Sequence, residues 1–190
     1  MKNPLSGRAL TVVLITLGLQ ALGCSRNEQV LRRPTTSEAR FLLQQVLDKQ
    51  EIEELLTRYM RLLETRDWVD YAQLFATDGE LHFNEYHLVG SQVIRDTMLK
   101  IAPNDPKTPA PSAADLLTNV NITVNGETAT GTSRWTGITL GADNRPAVSR
   151  AGRYEDTFVR ENDRWRFQKR IVLIDVTPVV PSAPPASSSR

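Results

Sequence analysis

The sequence predicts an α+β domain with helices packed on one face of an antiparallel sheet. Three observations lead there. In residues 48–83, apolar side chains fall at Ile52, Leu55, Leu56, Tyr59, Leu62 and Leu63, the spacing of one buried helical face. From residue 116 onward the period switches to two, broken by Asn125-Gly126, a strong hairpin signal. Helical segments come first and hairpin-linked strands follow, the order expected when helices cover one side of a sheet.

The 190 residues suffice for one domain with a real core, plus tails. The formal net charge is +1, with bases scattered among acids. That excludes the basic patch on which nucleic-acid binding depends, so no such partner is expected.

Residues 1–23 read as a signal peptide. Lys2 and Arg8 precede the apolar run 9–19, and Ala21 and Gly23 are small residues at the positions a signal peptidase reads. The run is shorter than the ~20 residues a membrane span needs, so a transmembrane anchor is the weaker alternative. Cys24, the only cysteine, rules out an internal disulfide. It follows the run after four residues, and Ala21-Leu22-Gly23-Cys24 resembles a bacterial lipoprotein signal, which implies a lipid anchor there. An ordinary exported protein with a cysteine near the cut is the other reading. Either way the protein is expected in the envelope, in the periplasm or as an outer-membrane lipoprotein.

Residues 24–36 are polar, contain Pro34 and read as a tether; the domain is expected over 37–176. Thr35, Thr36 and Ser37 offer capping hydroxyls before Phe41, Leu42, Leu43, Val46 and Leu47. That allows a separate short helix, with Asp48 capping the next. The main helix turns a corner at Arg66-Asp67. A second helix carries Trp68, Tyr71, Ala72, Leu74 and Phe75 up to a turn at Asp78-Gly79. A strand over 80–83 faces 85–89 across a short turn. Gly90-Ser91 opens a helix with Val93, Ile94, Met98, Leu99 and Ile101, which stops before Pro103. Residues 104–112 hold three prolines and read as a loop. Strands follow over 116–124, 128–140, 150–159 and 165–175. The Pro/Ser/Ala tail, 177–190, cannot bury enough apolar surface to order itself.

Over 47–175 the chain resembles the SnoaL-like branch of the nuclear transport factor 2-like superfamily. The resemblance rests on the Ile52-to-Tyr59 helix, Arg66-Asp67-Trp68, the run from Leu74 to Gly79, and Gly90. The run from Leu116 to Val120, the run from Gly152 to Asp156 and Arg164-Trp165-Arg166 complete it. It implies a cone, a curved antiparallel sheet wrapped around the long first helix, with an apolar pocket at the open end. It also implies pairing as a homodimer through the outer face of the sheet. Family chemistry spans dehydration, isomerisation, cyclisation and epoxide hydrolysis, and many members have no demonstrated activity, so fold alone does not choose a reaction.

Dehydratase-type members use a carboxylate on the first helix, histidines on the sheet and a tyrosine. Here Arg61 stands where that carboxylate would be, and Asp115 where a histidine is common. Candidates for proton transfer are therefore Tyr59, His82, Asp115 and Asp156. Asp156 shares a strand face with Tyr154 and Phe158, and Asp115 with Leu117 and Asn119. A carboxylate held in an apolar pocket would have a raised pKa suited to proton transfer. Trp68, Phe83, Asn119, Trp135 and Tyr154 are expected to line the pocket. Each has a plainer reading: Tyr59 as a core tyrosine, Asp156 paired with Arg153 or Arg134, His82 on a wet face, His87 in a solvated turn. Trp135 and Trp165 read as core or pocket wall. The two histidines stand five positions apart around one turn, which argues against their convergence. No spacing of His, Cys and acids supports a metal site, and neither metal nor cofactor is expected.

Two functions fit these residues. One is an exported protein that binds a small, largely apolar organic molecule without the complete family catalytic set. The other is a cofactor-free lyase or isomerase using general acid–base catalysis.

Overall fold

The computed structural model describes residues 33–104, 114–141 and 143–176. The chain divides between Pro34 and Thr35, and the second unit, Thr35–Arg190, carries the fold. The expected signal peptide, Cys24 and the 177–190 tail lie outside the described residues. Among the described residues, no helix is long and apolar enough to cross a membrane.

Helix α1, Thr36–Thr65, is continuous and starts with a capping box. The Thr35 hydroxyl accepts from the Glu38 N–H at 3.3 Å, and the Glu38 carboxylate accepts from the Thr35 N–H at 2.6 Å. Two orphan donors are thereby satisfied, worth about 1 kcal/mol. The expected break near Asp48 is absent. Asp48 is instead buried within α1 and accepts from Gln44 at 2.9 Å and the Trp165 indole at 3.3 Å, and it pairs with Arg160. Arg66 ends the helix in the left-handed conformation, φ 55°.

Helix α2, Trp68–Ala72, is capped by Asp67. Strand β1, Phe75–Phe83, begins earlier than its sequence suggested. Asp78-Gly79 is not a turn but lies within an irregularity where the register against the neighbouring strand shifts between Phe75 and Glu80. Gly79 permits it, because a Cβ there would meet the Phe167 carbonyl at 2.7 Å. Strand β2, Tyr86–Val89, helix α3, Ser91–Ile101, and strands β3, Ala114–Asn125, β4, Thr128–Leu140, β5, Pro146–Glu161, and β6, Arg164–Val176, complete the order.

The six strands form one unclosed sheet in the order β2-β1-β6-β5-β4-β3. All pairs are antiparallel except β1 with β6. Register irregularities occur in every pair except β1–β2, and such bulges bend and twist strands. The curved sheet and α1 share one core. Ile52, Leu55, Leu56 and Tyr59 pack with Phe75, Phe158 and Phe167 in a single buried cluster. Phe167 stands 5.2–5.6 Å from the rings of Phe75, Phe158 and Tyr59. This is the expected α+β cone.

Candidate functional site

A cavity of about 110 Å³ lies where α1 meets the sheet. Every element except β2 contributes to its wall. Tyr59 and Leu63 come from α1, Tyr71 from α2 and Met98 from α3. Leu81 and Phe83 come from β1, and Asp115, Trp135, Tyr154 and Val172 from β3 to β6. Tyr59 and Leu63 are one helical turn apart, and Leu81 and Phe83 are alternate strand residues, so local periodicity aims each pair inward.

The polar atoms on this wall are few. The Tyr71 hydroxyl donates to that of Tyr59 at 3.0 Å. Burial, followed by the neighbouring Tyr59, pushes the Tyr71 phenol well above its ordinary value. Burial and Tyr59 do the same to Tyr154, with Asp115 and Asp156 adding to the shift and Arg170 opposing it. Both therefore remain neutral hydroxyls at physiological pH, able to donate but unsuited to act as bases. The Trp135 indole Nε1 is buried and has no hydrogen-bond partner among the described residues. The other two tryptophans spend theirs, Trp68 on the Ala102 carbonyl at 2.6 Å and Trp165 on Asp48.

Behind the cavity wall sits Arg170. It is completely buried, and its guanidinium lies 4.0, 4.1 and 4.2 Å from the ring centroids of Tyr59, Tyr154 and Phe167. Asp156 neutralises it through two hydrogen bonds, from Nε at 2.8 Å and from Nη2 at 2.7 Å. Burial alone would lower the Arg170 pKa, but Asp156 more than offsets it, so the group stays charged. The pair anchors the rings of Tyr59 and Tyr154 from behind.

Of the residues expected to line the pocket, Phe83, Trp135 and Tyr154 do, and so do the proton-transfer candidates Tyr59 and Asp115. The other candidates stand elsewhere. Asp156 is spent on Arg170, a partner outside the expected Arg153 or Arg134. His82 lies with Glu80 on the strand face opposite Leu81 and Phe83, bonded to Glu80 at 2.8 Å. Trp68 is core, edge-on to Tyr71 at 5.2 Å. Asn119 lies on the outer face, in a groove with Thr132, Arg134 and Arg153. The irregularity between Thr118 and Asn121, with Asn119 at φ 51°, breaks the alternation that would have kept it in phase with Asp115.

Sequence reading missed Tyr71, Arg170 and the meeting of the two histidines. The signal for Arg170 was Asp156 itself, because an inward carboxylate between Tyr154 and Phe158 requires an inward cation nearby.

A model of the SnoaL-like domain matches residues 44–171. The chain belongs to the SnoaL-like family. An uncharacterized protein of Mycobacterium tuberculosis, Rv2910c, is 27% identical over 128 residues, spanning 67% of this chain and 85% of that one. An NTF2-like protein with a cystatin-like fold from Novosphingobium aromaticivorans superposes with a TM-score of 0.66 at 22% identity, covering 75% of this chain and 92% of its own. ActVI-ORFA from Streptomyces coelicolor gives 0.56 at 20% identity, covering 67% and 96%. These two structures share the fold of this SnoaL-like chain; identity at that level carries nothing about its reaction.

Proposed function

We propose that this SnoaL-like protein binds one small, largely apolar organic molecule in the cavity between α1 and the sheet. The observation that carries the proposal is the unspent Nε1–H of Trp135, a residue of a largely aromatic and aliphatic wall whose other polar groups are the Asp115 carboxylate and the tyrosine hydroxyls. A buried donor without a partner costs about 1–3 kcal/mol, and a ligand acceptor would recover that cost. Size narrows the class, since an apolar cavity of ~150 Å³ holds a single benzene ring. The fitting ligand is one ring or its aliphatic equivalent, carrying a carbonyl or ether oxygen. Export and lipid attachment at Cys24 would deliver the domain to the bacterial envelope, and a homodimer would form through the outer sheet face.

The test is native mass spectrometry of the protein after incubation with an envelope extract. One small molecule retained per chain by the wild type, and lost when Leu63→Phe fills the cavity, is the expected result. Equal retention by the filled variant would reject the cavity as the site.

A second reading is the cofactor-free lyase or isomerase, favoured by Asp115 and Tyr154 sharing the cavity wall. Tyr154, kept protonated, would donate while Asp115 accepted a proton. Turnover of a bound hydroxy-carbonyl compound by wild type and not by Asp115→Asn would support it over simple binding.

A further inference from the structure

The two-residue turn Asn84-Glu85 sets the register of the β1–β2 hairpin, with Phe83 opposite Tyr86 and His82 directly opposite His87. Side chains opposite one another share a sheet face, and Glu80, two residues before His82, shares it too. Both histidines of the chain thus meet one carboxylate, against the expectation from their spacing. The Nε2 atoms of His82 and His87 lie 2.8 and 3.3 Å from the same Glu80 oxygen, and the ring centroids are 3.8 Å apart.

We propose that Glu80, His82 and His87 form a binding site for a divalent transition-metal cation of the zinc type, on the outer face of the sheet. Two imidazoles and a carboxylate are the donors such ions take. One donor atom from each residue lies within 4.8 Å of the other two. Zinc bonds of ~2.0–2.1 Å place tetrahedral ligands roughly 3.3 Å apart. The two histidine–carboxylate distances, 2.8 and 3.3 Å, fall at or within about half an ångström of that spacing, so small side-chain adjustments bring the set to it. The side chains of Glu80, His82 and His87 are 27, 26 and 60% exposed, which leaves a coordination position open to water or to another ligand. Hydrogen bonding alone could also account for a histidine beside a glutamate. It does not call for a second imidazole converging on the same oxygen.

The cation already at this carboxylate is Lys169, whose Nζ stands 2.9 Å from the same Glu80 oxygen. An incoming metal displaces or repels that ammonium, so Lys169 limits affinity. The site lies on the opposite face of β1 from Leu81 and Phe83. It is independent of whatever the cavity holds.

The experiment is calorimetric titration of tag-free, chelator-stripped full chain with zinc, on a Cys24→Ser background so that the thiol supplies no donor. Cobalt serves as a spectroscopic probe and magnesium as the hard-cation control. One zinc per chain is expected, with tetrahedral visible bands for cobalt and no binding of magnesium. His82→Ala and His87→Ala should each weaken zinc at least tenfold, and Lys169→Met should tighten it severalfold. His87 is exposed, so His87→Ala tests the site without threatening the fold, and circular dichroism checks that. Absence of stoichiometric zinc binding, or affinity unchanged in folded His87→Ala, would overturn the proposal.

Discussion

Arg170 and Asp156 face each other across β6 and β5 as a bidentate ion pair, with the guanidinium completely buried beneath the rings of Tyr59 and Tyr154. Taking two charges out of water costs several kcal/mol per ion, which their attraction repays only in good geometry. The pair is therefore sensitive to the loss of one member and tolerant of the loss of both. Asp156→Ala should destabilise the domain by ~3–5 kcal/mol, read as a lower urea midpoint. The double variant Asp156→Leu/Arg170→Met should recover most of that loss. A proton-transfer role for Asp156 would instead leave stability nearly intact while abolishing turnover.

Gly152 lies on β5 beside Trp135. A Cβ added there would run into the Leu173 carbonyl and meet the Trp135 ring at 2.9 Å. Gly152→Ala should cost more than ~2 kcal/mol through backbone displacement. It should also alter the near-ultraviolet dichroism of the displaced indole.

Asp48 ties α1 to β5 and β6 through Arg160 and the Trp165 indole. Asp48→Ala leaves a buried indole N–H without its acceptor and takes from the largely buried Arg160 guanidinium the nearest of its three carboxylates, leaving Glu51 and Glu127 at 3.6 and 3.5 Å. The expected loss is ~2–4 kcal/mol, measured by urea unfolding. Asp48→Asn, which keeps an acceptor for the indole, should lose less.

Lys169 and His82 hold Glu80 down to about 2, with burial opposing them and His87 adding to the shift. A carboxylate with a depressed folded-state pKa contributes stability that is fully present above the ordinary value of 4.5 and lost as pH falls toward about 2. Urea midpoints for wild type should fall across that window. Glu80→Gln should flatten the decline there, because the group that takes up the proton is gone.

Tyr71 and Tyr154 shift in the opposite sense for a different reason, burial of a phenol. Their contribution is fully present below the ordinary tyrosine value of 10.0 and is lost as pH rises from there toward their raised folded-state values. Of the four tyrosines in the sequence, these two should ionise only together with alkaline unfolding. Absorbance at 295 nm followed alongside far-ultraviolet dichroism checks this.

Helix α1 was legible because Ile52, Leu55, Leu56 and Tyr59 keep one period over two turns, and the β3–β4 hairpin because Asn125-Gly126 signals a turn, although its two loop residues are Gly126, at φ 61°, and Glu127, with Asn125 paired to Thr128. The family and the cone were legible from short runs in order. What hid the rest was irregularity in the strands. In β6 the register slips between the Phe158–Phe167 and Thr157–Lys169 pairs. Strict alternation from Phe167 would have turned Lys169 inward. The extra residue instead sends Arg170 inward to Asp156 and leaves Lys169 outside against Glu80. A similar slip carries Asn119 out of phase with Asp115. Cross-strand meetings such as His82 with His87 depend on a turn lacking the glycine that would have announced its length.

The most direct measurement is the indole N–H spectrum of the protein titrated with a single-ring ketone. Three tryptophan signals are expected, assigned by Trp→Phe variants. Those of Trp68 and Trp165 are already hydrogen-bonded and should stay in place, while the Trp135 signal should move downfield and saturate. A saturable shift at Trp68 or Trp165 with Trp135 unmoved, or no saturable shift at any indole, would contradict ligand binding in this cavity.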